Sequence, residues 1–413
     1  MTVEVAVVGA GTAGIAAARD LAARGLRVVV LEAAETAGGR CRTRILHGRP
    51  WDLGASWIHG ATAGNPHADV VLALDEPVWP DPRRRFVVED GHLDAAAGAA
   101  LGNAFDRALA RLGEAVDRRR DLALADLLPD EEGPARVTRT LFADWIAGLP
   151  AEAVDAHDWM ATPAGEDWVP ARGYGALLAR LAHGLDIRTA TPVTRITVTD
   201  SGVRLESAAG VLDVPFAVLT VPLPLLAAGM PEIRPGLPGG WRRALDGLVM
   251  GHAAKVVLIL DGDPFGAGDG WFAYPARLRG PDVLFWMRPC GLDLAYGFWG
   301  GPAIAGMPAA ELEEATRRRF AERFGAEAAR RLVAVRVHHW SADPWIRGAY
   351  TSARPGRHGD RRGLDEPLGG RLFYAGEANG PGGFHATVAG AWLAGRRAAF
   401  EIAVRRRGGR PGL

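Results

Sequence analysis

Residues 3–8 form a short run dominated by valine and alanine, and continuous apolar character of that length reads as an interior strand. Gly9, Gly11 and Gly14 follow directly. Alanine and leucine at helical spacing then run over 13–24, and a second valine-rich run at 27–31 ends on Glu32. Strand, glycine turn, helix and strand in that order predict a βαβ unit, the opening of a doubly wound, Rossmann-like α/β domain.

The pattern changes near residue 78. Arginine, alanine and leucine recur at helical spacing over 101–120 and 134–149, so 78–167 reads as helical, and the arginine runs 83–85 and 118–120 read as solvated faces. A helix is expected within 169–178, followed by strands at 187–189, 193–198, 203–207, 211–214 and 216–221. Further strands are expected at 254–260, 271–274, 283–287, 294–299 and 332–338, with a helix at 309–324, which together suit a sheet with helices packed on it. The aromatics of this stretch read mostly as core, with some lining a pocket. A buried run at 371–377 ends on Glu377, and a closing helix begins near Thr387 and Val388.

The glycines of the opening unit each have a physical reason. Gly9 permits a tight turn, Gly11 admits a pyrophosphate against the backbone, and Gly14 lets helix pack on strand. Ala13 begins the helix whose free N–H groups and positive dipole end face the phosphates. Glu32 lies 18 positions after Gly14, where a carboxylate can accept both hydroxyls of an adenosine ribose and repel a phosphorylated one. Gly38, Gly39, Arg40 and Arg42 then offer flexible backbone and two guanidinium groups for a second phosphate contact.

Composition narrows the partners. The formal net charge is zero, which argues against nucleic acid, and Cys41 and Cys290 are too few for a disulfide framework or a metal cluster. The first strand begins at residue 3, leaving no room for a signal peptide, and no apolar run is long enough to span a membrane. A soluble cytoplasmic protein is expected, with the basic tail 405–410 as a solvated end. Of 48 basic residues, only Lys255 is lysine. Lysine can lose its proton when desolvated whereas arginine stays charged, so the exception invites a chemical reason.

Several blocks resemble the flavin-dependent amine oxidase superfamily, which includes monoamine oxidases, polyamine oxidases and lysine-specific histone demethylases. The Gly-Gly-Arg stretch at 38–40 is similar to its glycine-pair-arginine signature. Leu53 to Gly60, LGASWIHG, resembles the flavin-proximal segment of polyamine oxidases. His339-Trp340, Asp343-Pro344 and Gly348-Ala349-Tyr350 resemble its Trp, Asp-Pro and Gly-Ala-Tyr blocks. The resemblance spans essentially the whole chain, with the blocks in the expected order.

The resemblance implies non-covalent FAD in a discontinuous domain of residues 1–77, 168–250 and 346–413, and an α+β substrate domain of 78–167 and 251–345. Ala349 stands where monoamine oxidases attach flavin to a cysteine. By resemblance Gly54, Ala55, Ser56 and Trp57 lie against the flavin, Val193 holds the adenine through its backbone, and Gly376, Glu377, Thr387 and Val388 meet the cofactor. Lys255 matches the family lysine that bonds through a water to flavin N5. Tyr350 would wall the pocket, Trp340 would pack behind it, and His59 would reach the substrate or flavin edge. Thr387 takes the place of a second cage tyrosine.

The reaction so implied is hydride transfer from the α-carbon of an amine to flavin N5, hydrolysis of the imine, and reoxidation by dioxygen to hydrogen peroxide. Alternatives within the same fold are a desaturase or protoporphyrinogen-type oxidase and a biosynthetic amine oxidase with a specialised substrate; a redox-silent FAD-binding interaction protein is more remote. The expected partners are a small amine and dioxygen, with no metal, no membrane, and a homodimer left open.

Overall fold

A computed structural model describes residues 2–62, 64–119, 121–161, 164–278 and 280–408. The opening unit forms as the pattern requires: strand Val5–Val8, helix Thr12–Ala23 and strand Val28–Leu31. These two strands are the middle of a five-stranded parallel sheet. Its further members, Phe216–Leu219, Leu372–Tyr374 and Ile187–Arg188, come from far along the chain. All four residues of the first strand are buried, which is why it carries no polar alternation. The last helix, Val388–Arg406, lies on the first, and a Cβ on Gly395 would run into the Ala13 carbonyl. The fold is a doubly wound Rossmann-like domain with a separate substrate domain, as expected.

A second sheet of seven strands runs in the order Leu332–His339, Ala253–Leu260, Leu294–Gly300, Leu284–Met287, Trp271–Pro275, Arg84–Glu89, His92–Asp94. The strand Ala253–Leu260, second from one edge, alternates faces. Val256, Leu258 and Leu260 pack in one core with Leu312 and Phe320 of helix Ala309–Arg330. Lys255 shares the opposite face with Val257 and Ile259, which pack with Trp51, Leu53 and Trp340. The residue therefore points at the interior between the two sheets. A smaller four-stranded sheet carries Val193 at the start of Val193–Val198.

The segment 78–167 corrects the helical reading. Helix Ala95–Val116 is present, capped by Asp94, and Pro134–Thr140 continues through a wider-wound turn at Leu141–Ala147. Two strands precede them, however, and extend the large sheet. The arginine run 83–85 is not simply a solvated face: Arg83 pairs with Asp167, and the Arg85 guanidinium lies 5.5 Å over the Phe105 ring. The second run reaches outside the described residues at Arg120, as does the tail at 409–410. Helix Ala309–Arg330 runs past 324 across a break at Gly325. Among the described residues no helix is long and apolar enough to cross a membrane.

Candidate active site

The glycine turn is one wall of a cavity of about 1390 Å³ that reaches from the parallel sheet to the large sheet. Gly9 has φ +103°, and a Cβ there would collide with the Thr220 side chain. A Cβ on Gly11 would meet nothing within 4 Å, so the open side of this glycine is cavity. Gly14 does not line the cavity: its missing Cβ leaves room for the Gly9 carbonyl, which makes it a packing residue and not a cofactor contact. No side chain caps helix Thr12–Ala23 and no acid sits in its first turn, so its N-terminal N–H groups are left to an anion.

Glu32 directly follows the second strand, 8% exposed, with its carboxylate accepting the N–H groups of Ala10 (2.6 Å) and Ala34 (2.8 Å). Burial raises its pKa, and those N–H groups oppose the rise. Gly39 faces Gly11 across the cradle, its absent Cβ lying 3.3 Å from the Gly11 Cα. Arg40 donates to the Ala349 carbonyl (2.6 Å) and pairs with Glu377 (3.0 Å), while Arg42 pairs with Asp343 (3.0 Å). Open backbone at Gly11, an uncapped helix end, two arginines and an acid at the strand end fit an adenine dinucleotide in donor set and in charge.

Lys255 sits deeper in the same cavity, 4% exposed. Its Nζ donates to the Gly54 carbonyl (2.9 Å) and to Ser56 Oγ, and lies 4.2 Å from the Tyr296 ring centroid. Burial lowers its pKa to about 8, against the opposing pull of the buried Asp52 carboxylate. Gly54 is glycine for a reason the sequence did not display: a Cβ would run into the Arg40 carbonyl and crowd Trp340. Trp340 is fixed by donating from Nε1 to the Leu53 carbonyl (2.9 Å), with Arg42 stacked over its ring.

Tyr350 lines the cavity, and burial pushes its hydroxyl up to about 12, so it stays neutral. Thr387 caps the closing helix: Oγ1 accepts the Gly390 N–H (3.1 Å) and donates to the Phe384 carbonyl (2.5 Å). The structure thus gives its hydroxyl a capping role at the cavity wall. Ala13, Ala55, Ser56, Trp57, Val193, Gly376, Glu377 and Val388 line the cavity as well.

The far end of the cavity is where sequence reasoning fell short. His59 Nδ1 lies 3.0 Å from Asp167, and its ring stacks on Trp57. Burial alone would raise the Asp167 carboxyl, but His59 and Arg83 hold it down to about 2. Trp57 Nε1 donates to Asp81 (2.8 Å). Phe272, Tyr274, Phe298 and Trp299 complete an aromatic wall facing Trp145 and Trp159. Asp81, Trp145, Trp159 and Asp167 were missed because they come from loops and cap helices that converge only in the fold. Trp271 and Phe285, by contrast, are core.

The glycine-walled cradle, suited to a dinucleotide, is continuous with an aromatic chamber. The sequence pattern of the flavin containing amine oxidoreductases matches residues 12–161 and 134–403, and the chain belongs to that family. It is therefore a flavin-dependent oxidoreductase of amines. Polyamine oxidase 2 of Arabidopsis thaliana is 28% identical across 97% of this chain and 88% of its own. Lysine-specific histone demethylase 2 of Homo sapiens is 26% identical across 97% of this chain and 53% of its own. In fold, the chain resembles putrescine oxidase bound to putrescine, with a TM-score of 0.77 at 21% identity, covering 98% of this chain and 99% of that one.

Proposed function

We propose that the protein is an amine oxidase that holds FAD without a covalent bond and passes electrons from a small amine to dioxygen. The observation that carries this reading is the placement of Lys255, desolvated at the junction between the dinucleotide cradle and the aromatic chamber. FAD would lie with its pyrophosphate against Gly11 and the start of helix Thr12–Ala23, its ribose at Glu32 and its ring toward Lys255. When bound, it supplies the hydride acceptor and, once reduced, the reductant of dioxygen. Ala349 offers no sulfur for a thioether, so acid should release the flavin intact.

The chamber prepares the amine. An amine of pKa near 10 must shed a proton before its α-carbon can give up hydride, at a cost of about 4 kcal/mol at neutral pH. An apolar, ring-lined wall at Trp57, Phe272, Phe298 and Tyr350 disfavours the ammonium form and lowers that cost. Lys255, with its pKa brought to about 8, can hold a water and exchange a proton with it near neutrality. Asp167 stays ionised at the far end and would draw a cationic substrate tail.

The test is an anaerobic panel of mono-, di- and polyamines scored by bleaching of the flavin absorbance, followed by admission of air and assay of hydrogen peroxide. Bleaching by one amine class with peroxide on reoxidation is the expected result. A flavin that no amine bleaches would overturn the reading. Lys255→Met should stay yellow and folded while slowing at least one half-reaction by tenfold or more in stopped flow, whereas wild-type rates in both would remove Lys255 from the chemistry.

A further inference from the structure

Outside the cavity, Asp155, His157 and His358 meet where the helical cap touches the 354–365 loop, and their ligand atoms all lie within 4.8 Å of one another. Asp155 is fully buried, and its Oδ1 is 3.7 Å from His157 Nδ1 and 3.5 Å from His358 Nδ1. Those separations exceed a normal hydrogen bond. They are close to the roughly 3.3 Å between two ligands that each reach one tetrahedral ion at about 2.0–2.1 Å.

The hydrogen bonding around the cluster prepares it for a cation. His157 Nε2 lies 2.7 Å from the Val116 carbonyl oxygen, which can only accept, so Nε2 carries the hydrogen and Nδ1 of the neutral ring presents a lone pair. An imidazole oriented by a backbone carbonyl at its other nitrogen is the usual support of a metal-bound histidine. Nδ1 of His157 and Nδ1 of His358 are both buried without a hydrogen-bond partner. Asp155 is held by the backbone N–H groups of Asp158 (2.9 Å) and Gly356 (2.6 Å), which fix the carboxylate between the two rings. The ring centroids are 4.8 Å apart with 17° between their planes, and both Nδ1 atoms lie near the same Asp155 oxygen, Oδ1. His358 is 33% exposed although its Nδ1 is covered, so its ring lies at the surface, where a small displacement would admit the ion and a water as fourth ligand.

We propose that Asp155, His157 and His358 bind one zinc-type dication, which clamps the cap to the loop carrying His358. Two imidazoles and one carboxylate suit zinc better than calcium or magnesium, which prefer oxygen. The clamp reinforces a seam already drawn by Asp158, which pairs with Arg361 and accepts the Ala353 N–H. Asp158 lines the amine cavity, so the clamp steadies part of its wall. No spacing signal marks the cluster in the chain, because two ligands lie two residues apart and the third comes about 200 residues later.

The experiment uses the untagged, flavin-loaded protein, stripped with a chelator and dialysed, then titrated calorimetrically with zinc(II) and spectroscopically with cobalt(II). One equivalent is expected, with cobalt giving the intense visible bands of a four-coordinate site and zinc raising the thermal midpoint by a few degrees. His157→Ala and His358→Ala should each weaken binding by about tenfold or more and abolish the thermal shift. His183→Ala, at an exposed histidine, should change neither. No stoichiometric binding, or binding that survives both cluster variants, overturns the site. Binding without a thermal shift overturns the clamp.

Discussion

The two ends of the cavity are built on different principles. At the dinucleotide end the shape is made by missing side chains: Gly9, Gly14 and Gly54 are dictated by neighbouring atoms a Cβ would strike, and Gly11 by open space. At the amine end the shape is made by large side chains brought together from segments far apart, such as Trp57, Asp81, Asp167, Phe272 and Phe298. A backbone constraint tolerates little exchange, whereas a wall of rings can be redrawn one residue at a time. A family built this way can keep one cofactor and change its amine.

Gly14→Val should produce the largest loss, because the new side chain runs into the Gly9 carbonyl at the first turn of the helix. No soluble yellow protein is expected, and a stable, flavin-loaded Gly14→Val variant would erase the contrast between the two ends. Lys255 offers the next effect. Its folded pKa of about 8 lies below the ordinary 10.5, so between those values the unfolded chain binds more protons and stability rises with pH. The gain approaches about 3 kcal/mol across that window, at about 1.36 kcal/mol per pKa unit. Buried tyrosines such as Tyr350 lower the stability of both proteins over the same window, so the rise is read as the difference between wild type and Lys255→Met in urea unfolding at pH 7.5 and 10.5, the wild type gaining relative to the variant.

Glu32→Ala should weaken FAD retention by about 1–3 kcal/mol, measured by titrating apoprotein with FAD; unchanged affinity would mean that the ribose sits elsewhere. Tyr350→Ala should be the mildest, slowing flavin reduction by about tenfold, or about 1.4 kcal/mol, with FAD content maintained. Equal losses of flavin and rate would make Tyr350 structural. The contrast sharpens if variants at the dinucleotide end lose flavin while those at the amine end keep it.

The same contrast explains what could be read from the chain. The opening unit was legible because its spacing encodes local backbone geometry, and Lys255 stood out because every other basic residue is arginine. The strands Arg84–Glu89 and His92–Asp94 went unread although Asp90 (φ +49°) and Gly91 (φ +79°) form the kind of tight turn that joins a hairpin. Arginines at 83–85 masked the run. The parallel pairing of Arg84–Glu89 with Trp271–Pro275 is a contact between residues nearly 190 positions apart, which no local pattern carries. Thr387 was readable as a cavity residue, and its hydroxyl is taken up in capping the closing helix.

The central parallel sheet has a consequence for how the protein is made. Its first strand leaves the ribosome more than 360 residues before the edge strand Leu372–Tyr374 and the helix Val388–Arg406 that covers helix Thr12–Ala23. The cradle therefore becomes a finished surface only after a much later stretch of the chain has been made. Loading of the cofactor waits for that stretch, and a nascent chain halted before residue 372 must shelter an unfinished sheet edge in the meantime.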